Sequence, residues 1–388
     1  MRKGKRKKRV ALVFTLATSF EAELLRSVTE YAGNRGWILD MNPEPFLVSA
    51  RALLSWPGDG VLAFLRTPAR LRTARSLGIP VVNMAGALPP SEVPRVMVDQ
   101  EAIGKLAAEH FLERGFRRTA YFGQRGMWYS RQRQRGFVER IRRAGGECRI
   151  LEAPQSFDAR YPWYRYMKLL EDWLQTLKTP VGLMAVHDYR ARMVLDACAR
   201  LGLRVPQDVA LIGVDNNEVI CTFSEVPLTS VARDGYREGY EAAALLDRLM
   251  EGHPPPKGDI LIPPQGVVAR ASTDIEAIEN PHVAAAVRLI REHLGEPFGV
   301  ELLESHLSVS RRYLYYHFQQ CLGCTPYRYI NRMRVERAKQ LLAAPTRLKL
   351  YHIARECGFS EPRRLRLVFR RLTGMTLGEY RRLVTARR

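Results

Sequence analysis

For roughly 260 residues this sequence alternates short apolar runs with longer amphipathic stretches, and then the alternation stops. That rhythm is the strongest constraint on the fold. Val10–Leu16 precedes a helical stretch at Phe20–Arg35 that ends near Gly36, and Gly60–Phe64 precedes Pro68–Leu77, which ends at Gly78. Ile79–Met84 is the next strand-like run. Asp99 suits the N-cap of a helix over Gln100–Arg114, closed by Gly115. Thr119–Phe122 leads to Ser130–Ala144, Gly182–Val186 leads to Asp188–Leu201, and Val209–Val214 follows. Strands separated by helices at this spacing form right-handed βαβ units and parallel sheets. The length fits two doubly wound lobes better than one. Ligands in such sheets bind beyond the carboxyl ends of the strands, where Asp188 and Asp215 both fall.

Charge divides the chain in the same way. Of its 388 residues, 61 are Lys or Arg and 40 are Asp or Glu, a net charge of +21. Residues 1–9 carry +7, residues 10–281 only +1, and residues 282–388 carry +13. The predicted organisation is therefore a basic tail (1–9), a near-neutral α/β body (10–275) and a basic module (276–388). Concentrated Lys and Arg displace counterions from phosphates, so the module has the footprint of a nucleic-acid binder, although a solvated basic face carries the same charge. No apolar run reaches the roughly 20 residues of a membrane helix, and Val10–Ala17 is too short and too soon followed by acids for a signal peptide. Six cysteines without framework spacing indicate reduced thiols in a cytoplasmic protein.

Several ordered segments of the body, among them "SRQRQRGF", "VHDYRARMVLDACARLGLRVPQDVALIGVDNNE", "PLTSVA" and "VVARAST", resemble the sensor domain of the LacI and periplasmic-binding-protein type. The resemblance implies two hinged lobes with a small polar ligand, usually a sugar, between them. It implies ligand roles for Arg133, Asp188, Asp215 and the adjacent Asn216. Carboxylates, amides and a bidentate arginine suit hydroxyls, which both donate and accept. Trp128 and Phe20 are candidate aromatic platforms for a sugar ring. Structural roles compete at each position: a helix cap at Asp188, loop ordering at Asp215 and Asn216, a solvated face for Arg133 among Arg131 and Arg135, and core packing for both aromatics.

The basic module begins after a linker placed at Ala271–Asn280. Asn280 suits a cap and Pro281 the first turn of a helix whose stripe is Val283, Val287, Ile290 and Leu294. A short helix near Val300–His306 then precedes one starting at Ser310, with Leu314 and Phe318 inward. A second such pair follows, with Leu365, Phe369 and Leu372 inward. Cations on the outward face of each second helix suit the major groove. The candidate DNA contacts are Arg311, Arg312, Tyr315, Tyr316 and Gln319 on the first helix and Arg363, Arg364, Arg366 and Arg370 on the second. The landmarks Ser310, Leu314, Phe318, Gly323, Pro326, Arg334, Ala338, Ile353, Ala354, Gly358, Phe359, Phe369 and Gly374 resemble the AraC-type DNA-binding domain. Pro362 fits a first turn, and Leu365 replaces the usual aromatic.

A sensor of this type followed by an AraC-type reader resembles the XylR family of xylose-operon regulators over nearly the whole chain. Phe64, where that family has an acidic residue, and Thr15, where a more polar one is expected, weigh against xylose itself. The resemblance implies a ligand-responsive transcription factor acting as a dimer on double-stranded operator DNA with RNA polymerase. No cofactor is expected. Cys321-Leu322-Gly323-Cys324 lacks a second Cys/His pair at zinc-ribbon spacing, and Gly323 fits a helix stop. No phosphate loop, nucleophile elbow or His-Glu-x-x-His pair is present, so an enzyme acting on a sugar or nucleotide is not expected.

Overall fold

The structure is a computed structural model that describes residues 6–14, 18–41, 54, 56–154, 162–275, 278, 280–343 and 348–385. The chain folds as two compact units divided at Ile275–Glu276. In the first unit, β1 (Arg9–Val13), α1 (Ser19–Arg35), β2 (Ile38–Met41), β3 (Gly60–Ala63), α2 (Pro68–Arg75), β4 (Val81–Asn83) and β5 (Val96–Val98) begin one lobe. The chain then crosses to a second lobe. This contains α3 (Gln100–Leu112), β6 (Arg118–Gln124), α4 (Trp128–Arg143), β7 (Glu147–Ala153), α5 (Trp163–Gln175), β8 (Val181–Ala185), α6 (Asp188–Leu201), β9 (Val209–Val214), α7 (Glu218–Thr222) and β10 (Thr229–Ala232). It returns through α8 (Gly235–Met250) and β11 (Ile260–Ile262), and crosses a third time to β12 (Gly266–Val268).

The first lobe holds a parallel sheet ordered β2-β1-β3-β4, with β5 and β11 paired beside it; the second is ordered β12-β10-β9-β8-β6-β7, parallel except for β12. Strands covered on both faces by helices need continuous apolar runs, and every residue of β3, β8 and β9 is buried. Leu24 and Val28 of α1 and Ala242, Ala243 and Leu246 of α8 close the first core over Val10, Leu12 and Leu62.

The three crossovers are tied together. The Asp99 amide donates to the Ile262 carbonyl at 2.8 Å, and the Gln265 amide to that of Ala232 at 2.9 Å. In the second lobe α3 and α4 cross so closely that a Cβ on Gly104 would lie 2.0 Å from the Arg133 carbonyl oxygen, and one on Gly136 2.1 Å from that of Glu101. Only glycine permits that approach.

Two boundaries differ from expectation. The basic tail is pinned at its end: Arg6 pairs with Asp59 at 3.3 Å, Lys8 with buried Asp247 at 2.9 Å and Arg9, already in β1, with Asp40 at 2.7 Å. The expected linker also begins too early. Ala271–Thr273 form a 3-10 turn plugged into the sensor, where Ser272 Oγ donates to the Leu211 carbonyl at 2.6 Å and Thr273 Oγ1 lies 2.8 Å from His110 Nε2. Small buried hydroxyls with complete hydrogen bonding make this segment part of the fold.

The second unit is helical: α9 (Pro281–Glu292), α10 (Val300–Leu307), α11 (Arg311–Leu322), α12 (Pro326–Ala343), α13 (Leu350–Glu356), α14 (Pro362–Thr373) and α15 (Leu377–Thr385). Asn280 Oδ1 caps α9 by accepting from His282 and Val283, and Ser310 caps α11. Val283, Val287 and Ile290 pack with Leu303, Leu314 and Phe318 in one core; Ile353, Ala354, Leu365 and Phe369 form another. The helix α12 belongs to both, giving Tyr329 and Ile330 to the first and Val335, Ala338 and Leu342 to the second. Between them Arg334 Nη2 donates to the carbonyls of Glu296 (2.9 Å) and Phe298 (3.1 Å), with the guanidinium against the Phe298 and Phe359 rings. Gly323 ends α11 in the left-handed region at φ 65°. Leu372, expected inward, is 38% exposed, because the core closes at Phe369 and Leu377.

The interlobe cleft and the candidate DNA-reading surface

The cleft is built at the carboxyl ends of the second-lobe strands, facing the start of α1. After β9 the chain turns through Asp215 at φ 98° and Asn216 at φ 50°. Two consecutive non-glycine residues in the left-handed region cost about 1–3 kcal/mol each and need outside support. The support is visible. The Asp215 amide donates to the Val231 carbonyl at 3.0 Å, the Asn216 amide to Ser230 Oγ at 2.9 Å, and Arg270 Nη2 to Asn216 Oδ1 at 2.8 Å. The turn aims the Asp215 carboxylate at two arginines, with Arg233 Nη1 at 3.4 Å and Arg133 Nη2 at 3.7 Å. Burial by itself raises the pKa of Asp215, but the two guanidiniums outweigh it and hold the carboxyl below its ordinary value.

Each arginine is held from behind. Arg133 is buried, donates from Nε to Gln100 Oε1 at 2.7 Å and from Nη1 to the Val186 carbonyl, and stacks on Tyr129. Arg233, on the second crossover, donates to both carboxylate oxygens of buried Glu238, at 3.2 and 2.8 Å. Glu238 also accepts the Val98 amide at 3.1 Å, so one carboxylate joins two crossovers. The Arg233 guanidinium sits 3.6 Å from the centroid of Phe20.

Asp188 lies behind this front. It is the first residue of α6; His187 is the cap, its Nδ1 accepting the Arg190 amide at 3.2 Å. The Asp188 carboxylate accepts from Ser230 Oγ at 2.7 Å, the Asn217 amide at 2.7 Å and Cys221 Sγ at 3.4 Å. Burial, and then the neighbouring Asp215 charge, push its pKa up to about 7. Burial pushes His187 down to about 4. The space bounded by Thr18, Ser19, Phe20, Asp188, Tyr189, Asp215 and Asn217 measures about 30 Å³, one water's share of the liquid. The lobes meet directly beside it, where the Trp128 and Tyr129 amides donate to the Ala87 and Gly86 carbonyls at 2.9 and 3.0 Å.

In the helical unit, α11 and α14 each present a polar outward face. Arg312, Tyr316 and Gln319 are exposed on α11, and Arg363, Arg366 and Arg370 on α14. Arg364 is exposed but donates to Tyr327 Oη at 3.2 Å.

Comparison with known proteins adds three family matches. The model for "Periplasmic binding proteins and sugar binding domain of LacI family" matches residues 10–160, that for "Periplasmic binding protein-like domain" matches 108–273, and that for "Helix-turn-helix domain" matches 303–383. Along its whole length the chain is similar to the xylose operon regulatory protein of Escherichia coli (strain K12), at 29% identity over 96% of each chain. Its counterpart in Haemophilus influenzae is 27% identical, over 96% of this chain and 98% of that one. A solved structure of the xylose-binding transcription activator XylR matches with a TM-score of 0.61 at 28% identity, covering 98% and 99% of the two chains.

Along its whole length the chain resembles the XylR-type transcription regulators, and its parts match the sensor and helix-turn-helix family models. It joins a periplasmic-binding-protein-like sensor to an AraC-type helix-turn-helix domain, and is a ligand-controlled DNA-binding regulator. Its relatives regulate transcription and are not enzymes.

Within this XylR-type sensor the structure gathers Arg133, Asp215 and Phe20 at one place, with Asp188 close behind them. Asn216 does not join them, because its amide oxygen faces Arg270. Trp128 stands apart, at the lobe seam, with its ring on the guanidinium of Arg95 at 4.8 Å; Arg95 itself pairs with Asp259. Its amide, not its ring, closes the lobes. Phe64 is buried in the first-lobe core against Phe14, and Thr15 lies outside the described residues. In the reader, Arg311 is occupied by Glu301 and Glu304, both at 2.7 Å, and Tyr315 is half-buried against the first core. Neither is free on the outward face. The residues that the pattern did not point to are Arg233, Glu238, Tyr129, His187 and Arg270. Only Arg233 had a legible signal, as a cation between β10 and α8.

Proposed function

We propose that this XylR-type regulator binds a small polyhydroxylated ligand of pentose size in the cleft, and that binding changes how a homodimer places its readers on operator DNA. The observation that carries this is the Asp215 carboxylate, kept ionised by Arg133 and Arg233 from 3.7 and 3.4 Å. At those distances the charges pair, but the oxygen lone pairs are not taken up in short hydrogen bonds. A vicinal diol supplies donors for Asp215 and acceptors for both guanidiniums. With about 30 Å³ between the side chains, a sugar enters only if Arg233 and Phe20 part, so its affinity differs between lobe arrangements. Differential affinity is what a ligand needs to shift an equilibrium. The similarity to a regulator named for the xylose operon supports a pentose, while Phe64 in place of an acid argues for a ligand other than xylose.

Arg312, Tyr316 and Gln319 of α11 and Arg363, Arg366 and Arg370 of α14 contact the duplex in this reading, in two successive major-groove segments. Arg364 instead lines a pocket within the helical unit, beside Tyr327 and Arg334. The regulator acts in the cytoplasm and engages RNA polymerase; among the described residues no helix is long and apolar enough to cross a membrane.

The test is a thermal-shift panel of pentoses, hexoses and nucleosides on the full chain. A true effector at 100 times its Kd adds about 2.7 kcal/mol of stability, and Asp215→Asn loses that shift while still binding DNA. A panel without any shift would leave a DNA-binding regulator that takes no sugar.

A further inference from the structure

The outward stripe of α14 is not wholly cationic. Arg363, Arg366, Leu367 and Arg370 stand at i, i+3, i+4 and i+7, which share one helical face. Leu367 is 66% exposed in the middle of that face. The core has no use for it, since Leu365 and Phe369 on the opposite side are fully buried and complete the second core. An aliphatic group between guanidiniums is poorly placed for a solvated surface, and equally for an apolar protein partner, which would have to bury three arginines to reach it. Its charged surroundings instead match an anionic surface that offers one small apolar feature among hydrogen-bonding edges. The major groove has that character. Guanine N7 and O6 accept from arginine, and the thymine C5-methyl is the apolar feature of the groove. The stripe from Arg363 to Arg370 spans about 10 Å at 1.5 Å per residue, or about three base steps.

We infer that Leu367 is a specificity-determining residue that packs on a thymine methyl, with guanine within the same three or four base pairs held by its arginine neighbours. The first unit does not repeat this arrangement. The exposed face of α11 carries Arg312, Tyr316 and Gln319 with no aliphatic side chain among them, so methyl reading belongs to the second unit. The inference rests on α14 being the helix that enters the groove.

The experiment uses the full chain and selection from a random duplex pool, followed by replacing each thymine of the selected site by deoxyuridine. Uracil keeps every hydrogen-bonding edge of thymine and lacks only the methyl. One thymine is expected at which the replacement weakens wild-type binding about fourfold, the value of burying one methyl group. Leu367→Ala should bind thymine and uracil equally at that position, and its own selected motif should no longer require thymine there. Because Leu367 is outside the core, circular dichroism of the variant should match the parent. Arg366→Ala and Arg370→Ala separate the two levels of the claim. If they weaken binding while Leu367→Ala keeps full discrimination, the leucine inference is overturned and the reading helix stands. If none of the three variants changes binding, α14 does not enter the groove, and both fall.

Discussion

Two adjacent residues in the cleft oppose each other in their response to pH, and single substitutions should expose what the wild type conceals. Asp188 titrates near 7 in the fold against 3.8 for an unperturbed aspartate. Between those values the native state holds a proton that the unfolded chain has lost. Its contribution is therefore complete below about pH 4 and is lost as pH rises through 7, a change of about 4 kcal/mol at 1.36 kcal/mol per unit. His187 works the other way. It titrates near 4 against 6.5, because its half-buried ring loses solvation and its Nδ1 is committed as the acceptor that caps α6. There the unfolded chain binds the extra proton, so the contribution is present above pH 6.5 and is lost as pH falls toward 4, by about 3 kcal/mol. Over pH 4–6.5 the two nearly cancel. His187→Asn keeps a capping oxygen and removes the titration; its stability relative to wild type should fall by about 3 kcal/mol as pH rises through that window. Asp188→Asn should do the reverse, losing about 4 kcal/mol relative to wild type as pH falls from 7 to 4. Urea titrations followed by circular dichroism at half-unit steps from pH 4 to 8 give both difference curves. If either variant runs parallel to wild type across the window, the assigned protonation states are wrong.

Other variants test the architecture around the cleft. Gly104→Ala places a Cβ 2.0 Å from the Arg133 carbonyl oxygen, which is backbone and cannot swing aside. A loss above about 3 kcal/mol is expected in denaturant titration, at the upper end for overpacking. Glu238→Gln leaves Arg233 without its buried counter-charge, and breaking one side of such a pair costs about 3–5 kcal/mol. The same variant should weaken binding of any effector found in the panel, measured by calorimetry. Arg270→Ala removes the 2.8 Å side-chain bond that holds Asn216 to the exit segment. It should lower effector affinity by about tenfold, with Arg270→Lys restoring only part, since one ammonium cannot serve both Asn216 and the Leu228 carbonyl.

The alternation of apolar runs and helices was enough to place most of the α/β framework, because strands buried on both faces must be apolar throughout. The short edge strands were harder to see. Residues such as Ile260–Ile262 and Gly266–Val268 make few demands on sequence, being half solvated and three residues long. At the cleft, Arg133 was legible only through resemblance: it sits among Arg131 and Arg135, which are exposed, and its burial follows from a helix crossing made possible by Gly104 and Gly136. Glu238 has no local signature at all. A glutamate in the first turn of an amphipathic helix ordinarily faces water, and here it is buried only because two crossovers converge on it. In the reader, helical periodicity gave the outward faces correctly for Arg312 and Arg366. It could not anticipate that Glu301 and Glu304 on the preceding helix would claim Arg311.

If α11 and α14 both enter the groove as proposed, the helix α12, shared by two cores and clasped at Arg334, sets a ruler for the operator. It is 18 residues long, or about 27 Å, and it carries one reader near each end. Neither reader can slide or rotate without unpacking a core. One base pair added between the two contacted segments turns the second by about 35° around the duplex axis, a mismatch that the packing of α12 into both cores resists. In this pairing the compliance lies in the nucleic acid, and bendable steps between the two segments would contribute to selectivity although no side chain touches them.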